Sequence, residues 1–190
     1  MSSSVRLAIV GGGLAGLAAA NALAKFGMKA QVFEAASMLG EVGAAVVVSP
    51  QASKALHAIG LGNKIAPIAN SSPGMYTRHM QTGEFLHFND RSKIAEQYGA
   101  PFYNFHRADL LGALVSGLDP GAIHLGHRLT SVEERNDHTI LSFANGARVE
   151  AEIVIAADEF LETRPAAHDL DHQAAAFGIT FFFIEDVALF

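Results

Sequence analysis

Gly11-Gly12-Gly13-Leu14-Ala15-Gly16 constrains this chain more than any other stretch, because of what flanks it. Val5-Arg6-Leu7-Ala8-Ile9-Val10 before it reads as a short apolar strand. Leu17-Ala18-Ala19-Ala20-Asn21-Ala22-Leu23-Ala24-Lys25 after it is built from strong helix formers, and Gly27 ends the helix. Lys29-Ala30-Gln31-Val32-Phe33 then reads as a second strand, closed by Glu34, which lies 18 positions beyond Gly16. A glycine turn in an ordinary α/β core would need only the turn. Here strand, turn, helix, second strand and acidic terminus stand in register, the arrangement that grips a dinucleotide.

The chemistry asks for these residue types. Gly11 permits the tight turn out of the strand. Gly13 lets a pyrophosphate approach the backbone where a Cβ would collide with it. Gly16 lets the helix pack closely on the sheet. The N–H groups around Leu14, Ala15 and Gly16 have no acceptor within the helix, and the helix dipole adds partial positive charge at the same point. Glu34 can accept hydrogen bonds from both hydroxyls of an adenosine ribose, and its charge would repel a 2′-phosphate, which disfavours NADP at this site.

Further along, Ala44-Ala45-Val46-Val47-Val48 is an apolar run after a glycine-punctuated loop. Ser49-Pro50 reads as N-cap and first helical position of a helix that ends at Gly60. Residues 75–80 and 84–88 alternate around Thr82-Gly83 as a hairpin, and Phe102-Tyr103-Asn104-Phe105 reads as a strand running into a helix over 107–115. Four strands follow, over 122–125, 129–134, 139–143 and 148–157, with Asn145-Gly146 as a hairpin turn. The continuous apolar run Ile153-Val154-Ile155-Ala156-Ala157 suits a strand of a parallel sheet buried on both faces. The chain therefore reads as α/β, with a Rossmann-like parallel sheet plus an antiparallel meander.

The 190 residues suit one domain. Only 17% are charged and mean hydropathy is positive, where about a quarter charged is usual. That imbalance points to apolar surface that expects a partner, self-association included. A net charge of −6 with no Lys or Arg cluster argues against nucleic acid. The absence of Cys excludes disulfides and thiolate chemistry and fits the cytoplasm. Met1-Ser2-Ser3-Ser4 carries no signal-peptide pattern, and no apolar run reaches the length of a membrane span. Asn70-Ser71-Ser72 matches a glycosylation acceptor that means nothing without secretion. His57, His79 and His87 read as packed or partly exposed side chains. His168 and His172 share a helical face but lack a third ligand, so no metal is assigned.

Taken as a set, the segments Ile9 to Glu34, Leu39-Gly40-Glu41-Val42-Gly43-Ala44, Ser49 to Leu61, Tyr98 to Leu111 with its His106-Arg107-Ala108-Asp109-Leu110 centre, His124 to Val132 and Ala151 to Asp158 resemble the single-component FAD-dependent aromatic hydroxylases. The salicylate hydroxylase and 6-hydroxynicotinate 3-monooxygenase branches are those the chain looks like. The resemblance implies an FAD-binding domain over 1–158. Gly11, Gly13, Leu14, Ala15 and Gly16 would hold the FAD pyrophosphate, and Glu34 the ribose with Ala35 beside it. Arg107 would reach the phosphates and ribityl chain, Leu129 would present backbone to the adenine, Gly43 would pass the flavin, and Asp158 would close the last motif. It implies NADH or NADPH as reductant, O2 as oxidant and a small aromatic substrate of the phenol or pyridine-carboxylate kind. No residue takes a catalytic role.

The chain departs from the family after Asp158. Relatives continue with a glycine, then a Ser and an Arg; here Glu159-Phe160-Leu161-Glu162-Thr163-Arg164 follows. Residues 159–190 read as a divergent tail, with the aggregation-prone run Phe181-Phe182-Phe183-Ile184, and a frame shift in the gene would produce such a tail. The family's substrate-binding sheet would lie beyond residue 190. A His that relatives of 6-hydroxynicotinate monooxygenase carry is missing from Ala45-Val46-Val47-Val48, which puts that substrate in doubt. Two further classes stand beside a truncated hydroxylase: a nucleotide-binding module without turnover, and an NAD-dependent dehydrogenase. The strands at 75–88 and the Arg107 segment disfavour the dehydrogenase, since a plain NAD domain needs neither.

Overall fold

The computed structural model describes residues 2–40 and 44–158. In chain order the elements are β1 (Ser2–Val10), α1 (Leu14–Lys25), β2 (Gln31–Phe33), β3 (Ala45–Val48), α2 (Pro50–Ala58), α3 (Gly62–Ile65), β4 (Gly74–Arg78), β5 (Phe85–Asp90), α4 (Ile94–Tyr98), β6 (Tyr103–His106), α5 (Arg107–Val115), β7 (Ile123–His124), β8 (Leu129–Glu134), β9 (Thr139–Phe143) and β10 (Arg148–Ala156). They fall into two compact units, one of residues 2–40 with 114–158 and one of residues 44–113. The tail readings, the His168/His172 pair among them, and Gly43 lie outside the described residues.

The first unit is built on a six-stranded sheet in the order β7-β2-β1-β10-β9-β8. β7, β2, β1 and β10 are mutually parallel, and β9 and β8 extend the sheet as an antiparallel meander. The mixed α/β architecture read from the sequence is the one observed. Leu7, Ala8, Ile9 and Val10 are all buried, which explains why the C-terminal half of β1 is apolar at consecutive rather than alternate positions. Ala8, Val10, Phe33, Leu141, Phe143 and Val154 belong to one hydrophobic cluster. β1 begins at Ser2, earlier than its apolar run, because Ser2, Ser3 and Ser4 pair with Arg148, Val149 and Glu150 of the long β10. Backbone pairing extends a strand past the point where its side chains stop advertising it.

Boundaries shift elsewhere for similar reasons. β2 starts at Gln31 rather than Lys29, where its pairing with β1 begins, and β7 joins it from Val32. The strand expected over 122–125 shrinks to Ile123–His124, because Asp119 Oδ1 accepts from Gly121 N at 3.0 Å and winds Pro120–Ala122 into a 3-10 turn. The Asn145-Gly146 hairpin forms, with Gly146 at φ 84° and the Asn145 Oδ1 accepting from Ala147 N at 2.9 Å.

In the second unit β3 pairs antiparallel with β6, and Val46, Val48, Tyr103 and Phe105 are buried. Ser49 caps α2 as its sequence suggests: its Oγ accepts from Ala52 N at 3.3 Å, with Pro50 opening the helix. The short helices α3 and α4 fill spans with no periodic signal in the sequence. β4 and β5 form a separate two-stranded ribbon. No described helix is long and apolar enough to cross a membrane.

Candidate functional site

The turn between β1 and α1 is shaped by contacts that only glycine tolerates. Gly11 adopts φ +109°, and a Cβ there would lie 2.3 Å from the Ala157 carbonyl oxygen. Gly11 N donates to Phe33 O at 2.9 Å, tying the turn to the end of β2. A Cβ on Gly16 would lie 2.0 Å from Gly11 O, so the first turn of α1 sits directly on the loop that precedes it. Gly16 is therefore required by helix–strand packing, the role its position in the motif assigns it.

Gly13 differs in kind. It is the N-cap of α1 in extended conformation, and a Cβ built on it meets nothing within 4 Å. Among the described residues nothing forbids a Cβ there, so the space above Gly13 is open to a ligand. No side chain caps α1, and its first turn holds no acidic residue. The N–H groups at Leu14, Ala15 and Gly16 therefore lack an intrahelical acceptor, and the helix dipole favours an anion there.

Glu34 stands beside this opening, half-buried. Its Oε2 accepts from Gly12 N at 2.6 Å and its Oε1 from Ala36 N at 2.7 Å. Both oxygens are thus oriented by backbone donors, and each retains a lone pair for a further donor. Gly12, which motif reading passed over, is the residue that fixes Glu34: a Cβ on it would lie 2.9 Å from Glu34 Cβ. The signal was present as the middle glycine of three. Ala35 follows Glu34, but the backbone donor in this turn is Ala36.

A second group that sequence reading missed holds the Glu34 backbone. Glu34 N donates to His124 O at 2.9 Å, His127 N to Glu34 O at 2.8 Å and Gly126 N to Ala36 O at 2.8 Å. The His124 ring stacks on Phe33 with centroids 4.9 Å apart, and its Nε2 lies 2.6 Å from Gln31 Oε1. His127 packs edge-on against Phe143 at 5.2 Å and against His124 at 5.8 Å. Burial, and then the neighbouring His127, push the His124 pKa below the usual histidine value. The His-x-x-His spacing around Gly126 was the available clue.

The structure brings Gly11, Gly12, Gly13, Leu14, Ala15, Gly16, Glu34 and Ala35 together in the first unit. Asp158 joins them, since its N lies 3.1 Å from where a Cβ of Gly11 would stand. Leu129 opens β8 opposite Phe143, with its side chain buried in the core, so only its backbone could meet a ligand. Arg107 belongs to the second unit, where it opens α5 and its N donates to Ala44 O at 2.9 Å. Among the described residues no group of three His, Cys, Asp or Glu side chains is arranged to hold a metal.

Residues 4–164 match the family described as FAD binding domain. Over 154 residues the chain is 36% identical to 3-amino-4-hydroxybenzoate 2-monooxygenase of Streptomyces platensis, a match that covers 80% of this chain and 39% of that protein. It is also 36% identical over 159 residues to 6-hydroxynicotinate 3-monooxygenase of Pseudomonas fluorescens, covering 83% of this chain and 41% of the relative. The structure of Klebsiella pneumoniae HpxO complexed with FAD and uric acid superposes with a TM-score of 0.72 at 28% identity, over 80% of this chain and 39% of that one. The chain thus spans about two-fifths of the length of the curated relatives it matches.

Proposed function

Because the chain belongs to the FAD binding domain family, we propose that its first unit binds the adenosine diphosphate half of FAD and that this is the cofactor portion of an aromatic hydroxylase. The single observation that carries the reading is a carboxylate, Glu34, pinned between Gly12 N and Ala36 N beside an uncapped helix start with open space over Gly13. The residues present fit the cofactor. The free lone pairs of Glu34 suit the ribose hydroxyls, and the N–H groups of Leu14, Ala15 and Gly16 suit the diphosphate. Gly11 and Gly16 keep loop, helix and strand close enough to form the cradle. Asp158, Ala35, the Leu129 backbone, Gly43 and Arg107 are assigned to the same cofactor by resemblance.

FAD held there by Glu34 and the N–H groups of Leu14, Ala15 and Gly16 would supply redox chemistry between NADH or NADPH and O2. The protein's part here is to hold and orient the cofactor. The named relatives act on 3-amino-4-hydroxybenzoate and 6-hydroxynicotinate, and we take a small aromatic acid as the substrate class of the complete enzyme. A cytoplasmic location and self-association through exposed apolar surface complete the reading and are drawn from composition.

Energetics separate binding from turnover. Charged hydrogen bonds to Glu34 contribute about 1.5–3 kcal/mol each. The helix terminus adds about 0.3–1 kcal/mol per charge. Immobilising the ligand costs about 4–15 kcal/mol. The 190 residues alone are therefore expected to bind FAD weakly, and at most to pass electrons from NADH to O2 without hydroxylating a substrate. The two-fifths coverage favours, as a second reading, a nucleotide-binding module without turnover. Titration of purified protein with FAD, followed through flavin absorbance and fluorescence, tests the first claim. Absence of saturable binding overturns it. Saturable binding with no NADH oxidation supports the second reading.

A further inference from the structure

Arg91 lines a cleft in the second unit, and none of the residues assigned to FAD takes part in it. The cleft measures about 240 Å³, with Ser71, Pro73, Ala95, Pro101 and Phe102 among its other walls. Two contacts fix the arginine. Its backbone N donates to Pro73 O at 2.8 Å. Its Cζ stands 4.0 Å over the Phe102 ring, a cation–π attraction that uses no N–H···O bond. A guanidinium carries five N–H donors. Here one nitrogen, Nη2, meets only the weak acceptor Met75 Sδ, at 3.9 Å. Among the described residues no carboxylate forms an ion pair with Arg91. Asp90, next to it in sequence, is engaged instead by Ser92, whose N donates to Asp90 Oδ1 at 2.8 Å. Ser72 Oγ donates to Gly74 O at 2.6 Å, whereas no described residue engages the Ser71 hydroxyl.

The geometry points to this cleft as a binding site for a small single-ring carboxylate, benzoate-like in size and charge. A guanidinium fork matches a carboxylate with two bonds to two oxygens. Pro73, Ala95, Pro101 and Phe102 offer apolar surface to a ring, and Ser71 offers a hydroxyl to a polar substituent. The volume falls below the roughly 300–1,000 Å³ of pockets for drug-sized ligands, so one ring fits and a dinucleotide does not. One arginine and no lysine line the cleft, which suits a single negative charge better than a phosphate that draws several donors. The site stands or falls apart from the FAD reading, since the two share no residue.

Titration of the 190-residue chain with benzoate, followed through backbone amide and Arg91 Nε–H shifts in two-dimensional NMR spectra, tests this. Saturable shifts at Arg91, Ser92 and Phe102 are expected, with half-saturation at roughly millimolar benzoate, the strength open to a ligand of so few atoms. Benzamide keeps the ring and removes the charge; acetate keeps the charge and removes the ring. Each is expected to bind about tenfold more weakly than benzoate, or worse. Arg91→Met and Arg91→Lys should each lose about tenfold in benzoate affinity, with far-ultraviolet circular dichroism like that of wild type. The benzoate, benzamide and acetate comparison uses wild-type protein, so it decides the matter where a variant does not fold. The proposal is overturned by shifts that do not saturate, by benzamide or acetate binding as well as benzoate, or by a folded Arg91→Met protein that binds benzoate as wild type does. Inorganic phosphate binding more tightly than benzoate also overturns it, since the cleft would then be a general anion site.

Discussion

Gly12 and Glu34 lie 22 residues apart in the chain, and the Gly12 N–H donates to Glu34 Oε2 at 2.6 Å. This bond orients the carboxylate before any ligand arrives. Together with the Ala36 N bond to Oε1 it leaves one lone pair free on each oxygen, and it joins the glycine loop to the end of β2. Preorganisation of this kind lowers the entropy lost when a ribose is bound.

Glu34→Ala is accordingly expected to weaken FAD by about 10–100-fold, the equivalent of a single charged hydrogen bond. Glu34→Gln retains one carbonyl acceptor and should fall between wild type and Glu34→Ala. Flavin fluorescence titration gives the affinities. Unchanged affinity in Glu34→Ala would remove the carboxylate from the site.

Gly13 and Gly16 should separate binding from folding. Gly16→Ala places a methyl 2.0 Å from Gly11 O and is expected to destabilise the first unit by about 1–3 kcal/mol or more, through overpacking against backbone. Gly13→Val puts its Cβ where no atom of the described residues lies within 4 Å. It should leave the urea midpoint almost unchanged and abolish FAD binding. A Gly13→Val protein that binds FAD normally would show that the diphosphate lies elsewhere.

Stability should depend on His124 through pH. Its folded pKa lies below the ordinary value of 6.5, owing to burial and then to His127. The unfolded chain therefore takes up a proton first as pH falls. The stability contributed by neutral His124 is complete above the unfolded value and is lost as pH drops from there through the lowered folded value. Urea midpoints measured from about pH 7.5 down to about pH 5 should fall more steeply for wild type than for His124→Gln. Parallel curves would deny the effect.

Asn21 is a buried polar residue with a structural task. Its Nδ2 donates to Leu17 O at 2.8 Å and to Leu114 O at 2.9 Å, joining α1 to a chain segment 93 residues away. Asn21→Leu removes this donor from the buried Leu114 carbonyl, which keeps Gly117 N at 3.1 Å, and is expected to cost about 0.5–1.5 kcal/mol. Chemical denaturation measures it, and a loss below the error of the midpoint would mean that water replaces the bond.

The β-α-β unit was legible because each of its signals is local. Apolar run, three glycines, alanine-rich helix and acidic strand end all fall between Val5 and Glu34. The capping of α2 by Ser49 and the Asn145-Gly146 hairpin were legible for the same reason. Strand limits were less so. Ser2 to Ser4 carry no strand signal of their own and extend β1 only because β10 runs alongside them.

The residues between Val5 and Glu34 determined by themselves that a helix start would face open space with a carboxylate near it, since propensity, glycine freedom and backbone hydrogen bonding act over a few residues. Tertiary structure alone decided which groups hold that carboxylate. Gly12 became its donor, His124 and His127 clasped its backbone, and Gly11 O set the need for glycine at position 16. These contacts join positions brought together by the β7-β2-β1-β10 order, and the register of strands far apart in sequence comes from packing a shared core rather than from any period within one segment.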